Sequence, residues 1–568
     1  FFFLDLSNLA PSRQRLLLLA LLACLFSASY SLPSPSGSTG LEIAGTAGSS
    51  SRVKSLSSGK PCVSVFSGVP VPRGGSKAAM SKQGSLRDAV FPIYGRQEVL
   101  KFISVASIKF FIVFVLTLTR DTKDTLMVTE IGAESIAFAK VYGVLPCAAA
   151  YIALYGKLDD WIGKRSKKAL YFVTTIPFFA FFLAFDLFIY PNRASLHPSL
   201  SSVAAITGST GIVSKILANW TSALFYIVAE LYSSVSIGIL FWGYANEVVP
   251  VGQAKRFYPL FGQMSSLGPI AAGQFVVQYS SKAETFQGSL DRLTAVITLS
   301  GLAILTMRTV SEAYISGTEP EPAAASKAGK PKKEKPKLSM VESARFLAGS
   351  KYLRLLATMV VGYGLSINFT EIIWKSLVKK MYPTALEYSH FMGVFSSVVG
   401  VTTFFVIFLG GTVIKTLGWR VGALATPSIM AALAVPFFGC VLVGGVDNKA
   451  ALRVAVAVGT LQSLLSKATK YALFDPTTQM AYIPLDQESK VKGKAAIDVL
   501  GSRLGKSGGS LVQQAMVLAF GDMVSAAPAV VAVFYAVLAA WIGAAGKLGV
   551  MFEDLTEGDA RKNKKKKA

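Results

Sequence analysis

From Phe110 onward one pattern recurs: an apolar run of about 20 residues, a short polar connection, and another run. A helix of that length crosses the hydrocarbon of a bilayer and satisfies its own backbone hydrogen bonds there. The runs lie near 108–129, 135–156, 169–190, 219–246, 257–280 and 292–311, then 353–374, 391–414, 421–444, 450–474, 496–520 and 526–546. The pattern predicts an all-α membrane protein of twelve transmembrane helices in two six-helix halves, with the lipid bilayer as its surroundings. Composition agrees: 52% of the 568 residues are hydrophobic and 16% charged, with a mean hydropathy of +0.49. Soluble domains carry about 25% charged residues, so a string of soluble domains is excluded.

The chain divides accordingly. Residues 95–315 form the N-terminal half and 341–548 the C-terminal half, separated by a basic linker at 316–340 and followed by a basic disordered tail at 549–568. The linker holds Lys327, Lys330, Lys332, Lys333, Lys335 and Lys337 among several prolines, a composition that cannot bury a core. Linker, tail and the segment before the first span are all basic, and an even span count puts them on one side, cytosolic or stromal by the positive-inside tendency. Lys255 to Gln274 echoes Lys494 to Gln513 at a constant offset of 239 (494 − 255), both in fifth helices of their halves. A parallel repeat of six helices is the major-facilitator-like plan, with its site at midplane between the halves.

The N-terminus reads as an address. Arg13 and Arg15 precede the apolar stretch Leu16–Phe26, which ends in Ser27-Ala28-Ser29: a signal peptide over 1–29, too short to span. Residues 30–90 are rich in Ser, Gly and Pro, with basic residues far outnumbering acids up to Arg87, as in a transit peptide. The tandem resembles the bipartite presequence of algae with complex plastids and implies a multi-pass protein of a plastid envelope, its presequence removed.

Several chemistries are set aside. Cys24, Cys62, Cys147 and Cys440 have no metal-ligand spacing, and His197 and His390 read as loop histidines, so no metal and no cofactor is expected. Gly501-Ser502-Arg503-Leu504-Gly505-Lys506-Ser507 is one residue short of a phosphate-binding loop and lacks the strand such a loop follows. No polar loop is large enough for a catalytic domain, so no enzyme is expected. The net charge of +25 lies largely in tails and linker, not on ordered faces, so nucleic acid is not expected as a partner.

Charges inside spans are the functional candidates, because burying them without a partner costs several kcal/mol (about 2.5–3.5 on insertion scales). Arg120-Asp121-Thr122-Lys123-Asp124 interrupts the first span, Glu230 the fourth, and Glu371 with Lys375 one turn on the seventh. The C-terminal half adds Lys467, Lys470, Lys494, Arg503 and Lys506. Such a path suits a polyanionic, phosphate-bearing solute, with Tyr226, Phe241 and Trp242 near enough to be weighed as base-stacking partners and, more simply, as packing.

Several blocks carry a specific resemblance: Arg120–Asp124, Phe241–Asn246, Ala254–Gly262, Lys470–Pro476, Ala481–Asp486 and Lys492–Asp498. They resemble signature blocks of the plastid and intracellular-bacterial ATP/ADP translocases, over roughly residues 95–548, and the version here is most similar to the nucleoside triphosphate transporters of diatom plastids. The resemblance implies nucleotide exchange by alternating access without hydrolysis, with ATP, ADP and other ribo- or deoxynucleoside triphosphates as transported partners; the sequence does not fix the oligomeric state, and a monomer is favoured. It assigns substrate-binding roles to Lys123, Glu230, Glu371 and one C-terminal lysine, Lys506 or the nearby Lys494, and the charges inside the spans add Arg120, Lys375 and Arg503 as candidates. Tyr232 after Ala229-Glu230-Leu231, where the family has Trp, and an added stretch near Ser199–Lys215 bear on substrate preference. Proton-coupled uptake of nucleoside triphosphates, with Glu230 or Glu371 carrying the proton, is the alternative.

Overall fold

The computed structural model describes residues 93, 95–316, 340–444, 448–486, 489–490, 492–494, 496–497 and 504–565. The signal and transit segments, the 317–339 stretch of the linker, and Arg503 lie outside the described residues. All described elements are helical.

Nine described helices are long and apolar enough to cross a membrane. These are α1 (Arg96–Glu130), α2 (Ser135–Gly163), α3 (Lys167–Ile189), α4 (Trp220–Val248), α6 (Phe286–Glu312), α7 (Lys351–Met381), α8 (Ala385–Ile407), α9 (Leu409–Leu442) and α12 (Ala527–Thr556). The expected fifth, tenth and eleventh spans are helical too, as α5 (Val251–Gln278), α10 (Lys449–Thr469) and α11 (Gly509–Phe520). The first two dilute their apolar residues with Lys, Arg, Gln and Ser, and α11 is short. The count of twelve therefore stands at nine on length and apolarity, with three more helices at the expected places. Large apolar side chains on α2 and α9, such as Trp161 and Val435, point outward as lipid contact requires.

Boundaries moved where polar groups found partners. Helix α1 begins three turns before the apolar run, because Glu98 pairs with Arg256 at 2.5 Å and Lys101 donates to Gln253 at 3.1 Å, both on α5. Within α9 the chain kinks at Gly418, whose φ of 86° few other residues adopt. His390 lies in the first turns of α8 rather than in a loop, and bonds Ser281 Oγ at 2.9 Å. The Ser199–Lys215 insertion forms two short helices, Leu200–Thr207 and Ile212–Ala218. The tail is a further correction: the last helix runs on to Lys565. Its apolar face has a partner there, with Phe552 stacked on Trp419 at 5.1 Å and Gly549 against Arg420.

The halves join through the second parts of α1, α5 and α7, the starts of α2 and α8, and α11. Close approach uses glycine: a Cβ on Gly273 of α5 would sit 2.2 Å from Gly393 O of α8. A Cβ on Gly400 would meet Ile270 and Ser266 at 3.0 Å or less. Around this seam Gln514 Nε2 donates to Ala137 O at 3.0 Å, and Ser376 Oγ to Glu134 at 3.1 Å. Lys379 Nζ donates to Thr129 O at 2.8 Å.

Candidate substrate site between the halves

Helix α1 carries its charged run well inside its length, with Asp121, Lys123 and Asp124 all buried. Isolated charges there would be costly, and each has a partner. The partners form a ladder of alternating sign. Glu230 of α4 meets Lys123 Nζ at 2.9 Å, and Lys123 meets Asp124 Oδ1 at 3.1 Å. Asp124 Oδ2 receives Lys375 Nζ of α7 at 2.9 Å. Lys375 and Lys467 of α10 each stand 3.4 Å from Glu371 Oε1. The ladder crosses from one half to the other at Asp124–Lys375.

Beside it, Arg120 Nε meets Asp121 at 3.2 Å, while Ser396 of α8 accepts from Arg120 at 3.0 Å and donates to Asp121 at 2.6 Å. Lys140 of α2 donates to Asn368 Oδ1 of α7 at 3.1 Å. Among the described residues no carboxylate lies within 4.0 Å of its ammonium. Lys123, Lys375, Lys467, Arg120 and Lys140 thus face Glu230, Asp124, Glu371 and Asp121, leaving one cation in excess. Phosphate oxygens can replace carboxylate oxygens around ammonium and guanidinium groups without changing the donor set, so a polyanion can enter by partner exchange.

Three of the lysines lie where the helix is locally unwound. Lys140 and Lys470 lie on single π-helical turns, Ala139–Val144 and Lys470–Phe474, and Lys506 on a third, Leu504–Gly508. Such turns reset the angular register of a helix and recur at functional sites. The Lys506 turn is anchored to α7, since Asn368 Nδ2 donates to Gly505 O at 3.1 Å and Gly364 leaves room for Gly505.

Of the residues expected at the site, Arg120, Lys123, Glu230, Glu371 and Lys375 come together, and Gly505, the residue before Lys506, is bonded to Asn368. Lys494 does not join them: its ammonium donates to Gln479 Oε1 at 2.8 Å at an exposed position. Tyr226 lies buried under Lys123, 3.8 Å from ammonium to ring centroid. Phe241 and Trp242 pack under Lys109. Lys140, Asn368 and Ser396 are added by the fold, and Lys467, a candidate from the sequence, joins the cluster through Glu371. None of those three carried a signal in the sequence, whereas Lys467 stood out as a cation in an apolar run.

A separate cavity of about 510 Å³ is lined by Glu130, Pro191, Arg193, Ala194, His197 and Asn219. Burial and the nearby Arg193 push the His197 imidazole below its ordinary value.

Residues 76–552 match the model of the TLC ATP/ADP transporter family, starting inside the stretch read as a transit peptide. The chain is 41% identical to "ADP,ATP carrier protein 1" of Chlamydia muridarum over 495 residues, covering 83% of this chain and 91% of the relative. It is 40% identical to "ADP,ATP carrier protein 1, chloroplastic" of Arabidopsis thaliana, covering 80% and 74%. Identity to the "Plastidic ATP/ADP-transporter" of Solanum tuberosum is 40%, covering 80% and 75%. Among solved structures, the nucleoside transporter NupG (D323A mutant) is 13% identical with a TM-score of 0.44, over 80% of this chain and 99% of that one. A D-xylose–proton symporter is 13% identical with a TM-score of 0.46, over 79% and 97%. On the family match and these identities, this multi-pass membrane chain belongs to the TLC ATP/ADP transporter family.

Proposed function

We propose that this protein exchanges ATP and ADP, or related nucleoside triphosphates, across a plastid envelope membrane by alternating access, without catalysing a reaction on them. The observation that carries the reading is the alternating ladder of Glu230, Lys123, Asp124, Lys375, Glu371 and Lys467 running from one half to the other. In the empty carrier the carboxylates hold the lysines. A nucleotide takes over Lys123, Arg120, Lys140 and Lys375 with its phosphates, and Lys506 is assigned to the same task. Freed carboxylates and bound phosphates compete for the same cations, so the substrate-loaded ladder rearranges more readily than the empty one, which favours exchange over empty return.

The test is uptake of labelled ATP into ADP-loaded liposomes. Lys123→Ala should reduce uptake to background while the detergent-solubilised protein keeps its helical content and elution volume. Undiminished uptake would remove Lys123 from phosphate binding. Collapse of a pH gradient separates the proton-coupled alternative, since exchange persists and symport stops. Both Glu230 and Glu371 contact lysines, which favours exchange. Plastid placement is read from the N-terminal presequence and from the plastid relatives. A fusion of residues 1–95 to a fluorescent protein, expressed in a diatom, tests it by where the fluorescence goes.

A further inference from the structure

Most aromatic rings around the ladder have no open face. Tyr226, Tyr388 and Phe395 are buried, and Tyr363 stacks on Phe474 at 5.5 Å, which in turn meets Trp541 at 5.2 Å. Tyr471 differs, being 50% exposed in the same neighbourhood. It lies four residues after Lys467, whose ammonium reaches Glu371, so the two share the helix face turned to the site. Its ring has the Lys470 ammonium 4.4 Å from the centroid, and the same ammonium stands 5.6 Å from the centroid of Tyr363 on α7. The π-helical turn Lys470–Phe474 sets this aim. Tyr142 is more exposed, but it lies two residues from Lys140 and so on the other side of α2.

An open aromatic face beside cations is suited to a nucleobase whose phosphates lie among those cations. We propose that Tyr471 is the stacking platform for the base of the transported nucleotide, an inference that rests on the nucleotide-exchange reading above. The base then lies on the C-terminal half while its phosphates reach Lys123 and Arg120 on the N-terminal half, so one substrate touches both.

The experiment uses the full chain in liposomes and two probes, ATP and inorganic tripolyphosphate, which carries the phosphates and no base. Tyr471→Ala should raise the ATP concentration for half-maximal uptake about tenfold, the loss of one stacking contact. Tyr471→Phe should stay near wild type, and inhibition by tripolyphosphate should not move in either variant. Tyr471→Trp adds a direct reading, with fluorescence quenched by ATP and not by tripolyphosphate. Unchanged ATP dependence in Tyr471→Ala, equal weakening toward both probes, or a Tyr471→Trp signal blind to ATP would each overturn the proposal. Wild-type protein that takes up no nucleotide would instead overturn the exchange reading beneath it.

Discussion

Asp124 is the residue on which the ladder turns, because its two oxygens receive two lysines from different halves, Lys123 at 3.1 Å and Lys375 at 2.9 Å. Removing that charge leaves two buried ammonium groups short of a partner, a situation worth about 3–5 kcal/mol in other proteins. Asp124→Asn should therefore lower the thermal unfolding midpoint of the purified carrier by several degrees and reduce exchange. Adding Lys375→Met should recover part of the midpoint and none of the exchange. Full recovery of both would show that the pair only holds the fold. At this scale much of the site was legible, because a charge inside an apolar run is conspicuous: Arg120, Lys123, Glu230, Glu371 and Lys375 all stood out. Lys140 did not, since it lies near the start of its span, where a lysine reads as interfacial. Its place in the cluster comes from α2 meeting α7 at Asn368, a contact that no local pattern encodes.

Elements were legible where hydrophobicity alone decides, and less so where a helix faces another polar surface. α5 and α10 lie where the runs near 257–280 and 450–474 put them, yet both are too polar to pass as spans by apolarity. Their Gln and Ser groups are used between halves, as in Gln274 Nε2 to Ser397 Oγ at 3.4 Å, or within one, as in Gln462 Nε2 to Met430 O at 3.2 Å. The π-helical turns were invisible, since no residue type marks them. The α5–α8 crossing gives a prediction of its own. Any side chain at Gly273 meets Gly393 O at 2.2 Å, Ser397 Oγ at 2.3 Å and Ser397 N at 2.7 Å, two of them backbone atoms that cannot swing aside. Gly273→Val should hold the halves apart at this seam. A cysteine at Ser281, in a background without Cys24, Cys62, Cys147 and Cys440, should then react faster with a membrane-impermeant maleimide than in the Gly273 parent. An unchanged rate would mean that the crossing yields elsewhere.

For the molecule as a whole, exchange requires the bonded seam between the halves to open and reform. Ser281 and His390 mark it in accessible positions, with Oγ and Nδ1 2.9 Å apart. The two residues sit where α5 ends and α8 begins, on opposite halves. Both can be changed to cysteine without touching the ladder, again in the background lacking Cys24, Cys62, Cys147 and Cys440. Bridging them with a short thiol crosslinker should stop ATP/ADP exchange, and a cleavable linker should restore it on reduction. Nucleotide binding from the side still open should survive, because Lys123, Lys375 and Glu371 lie away from the bridge. Exchange that continues at full rate under complete crosslinking would mean that the halves do not part at this seam. The alternating ladder would then be a fixed scaffold, and the moving part would have to lie within one half.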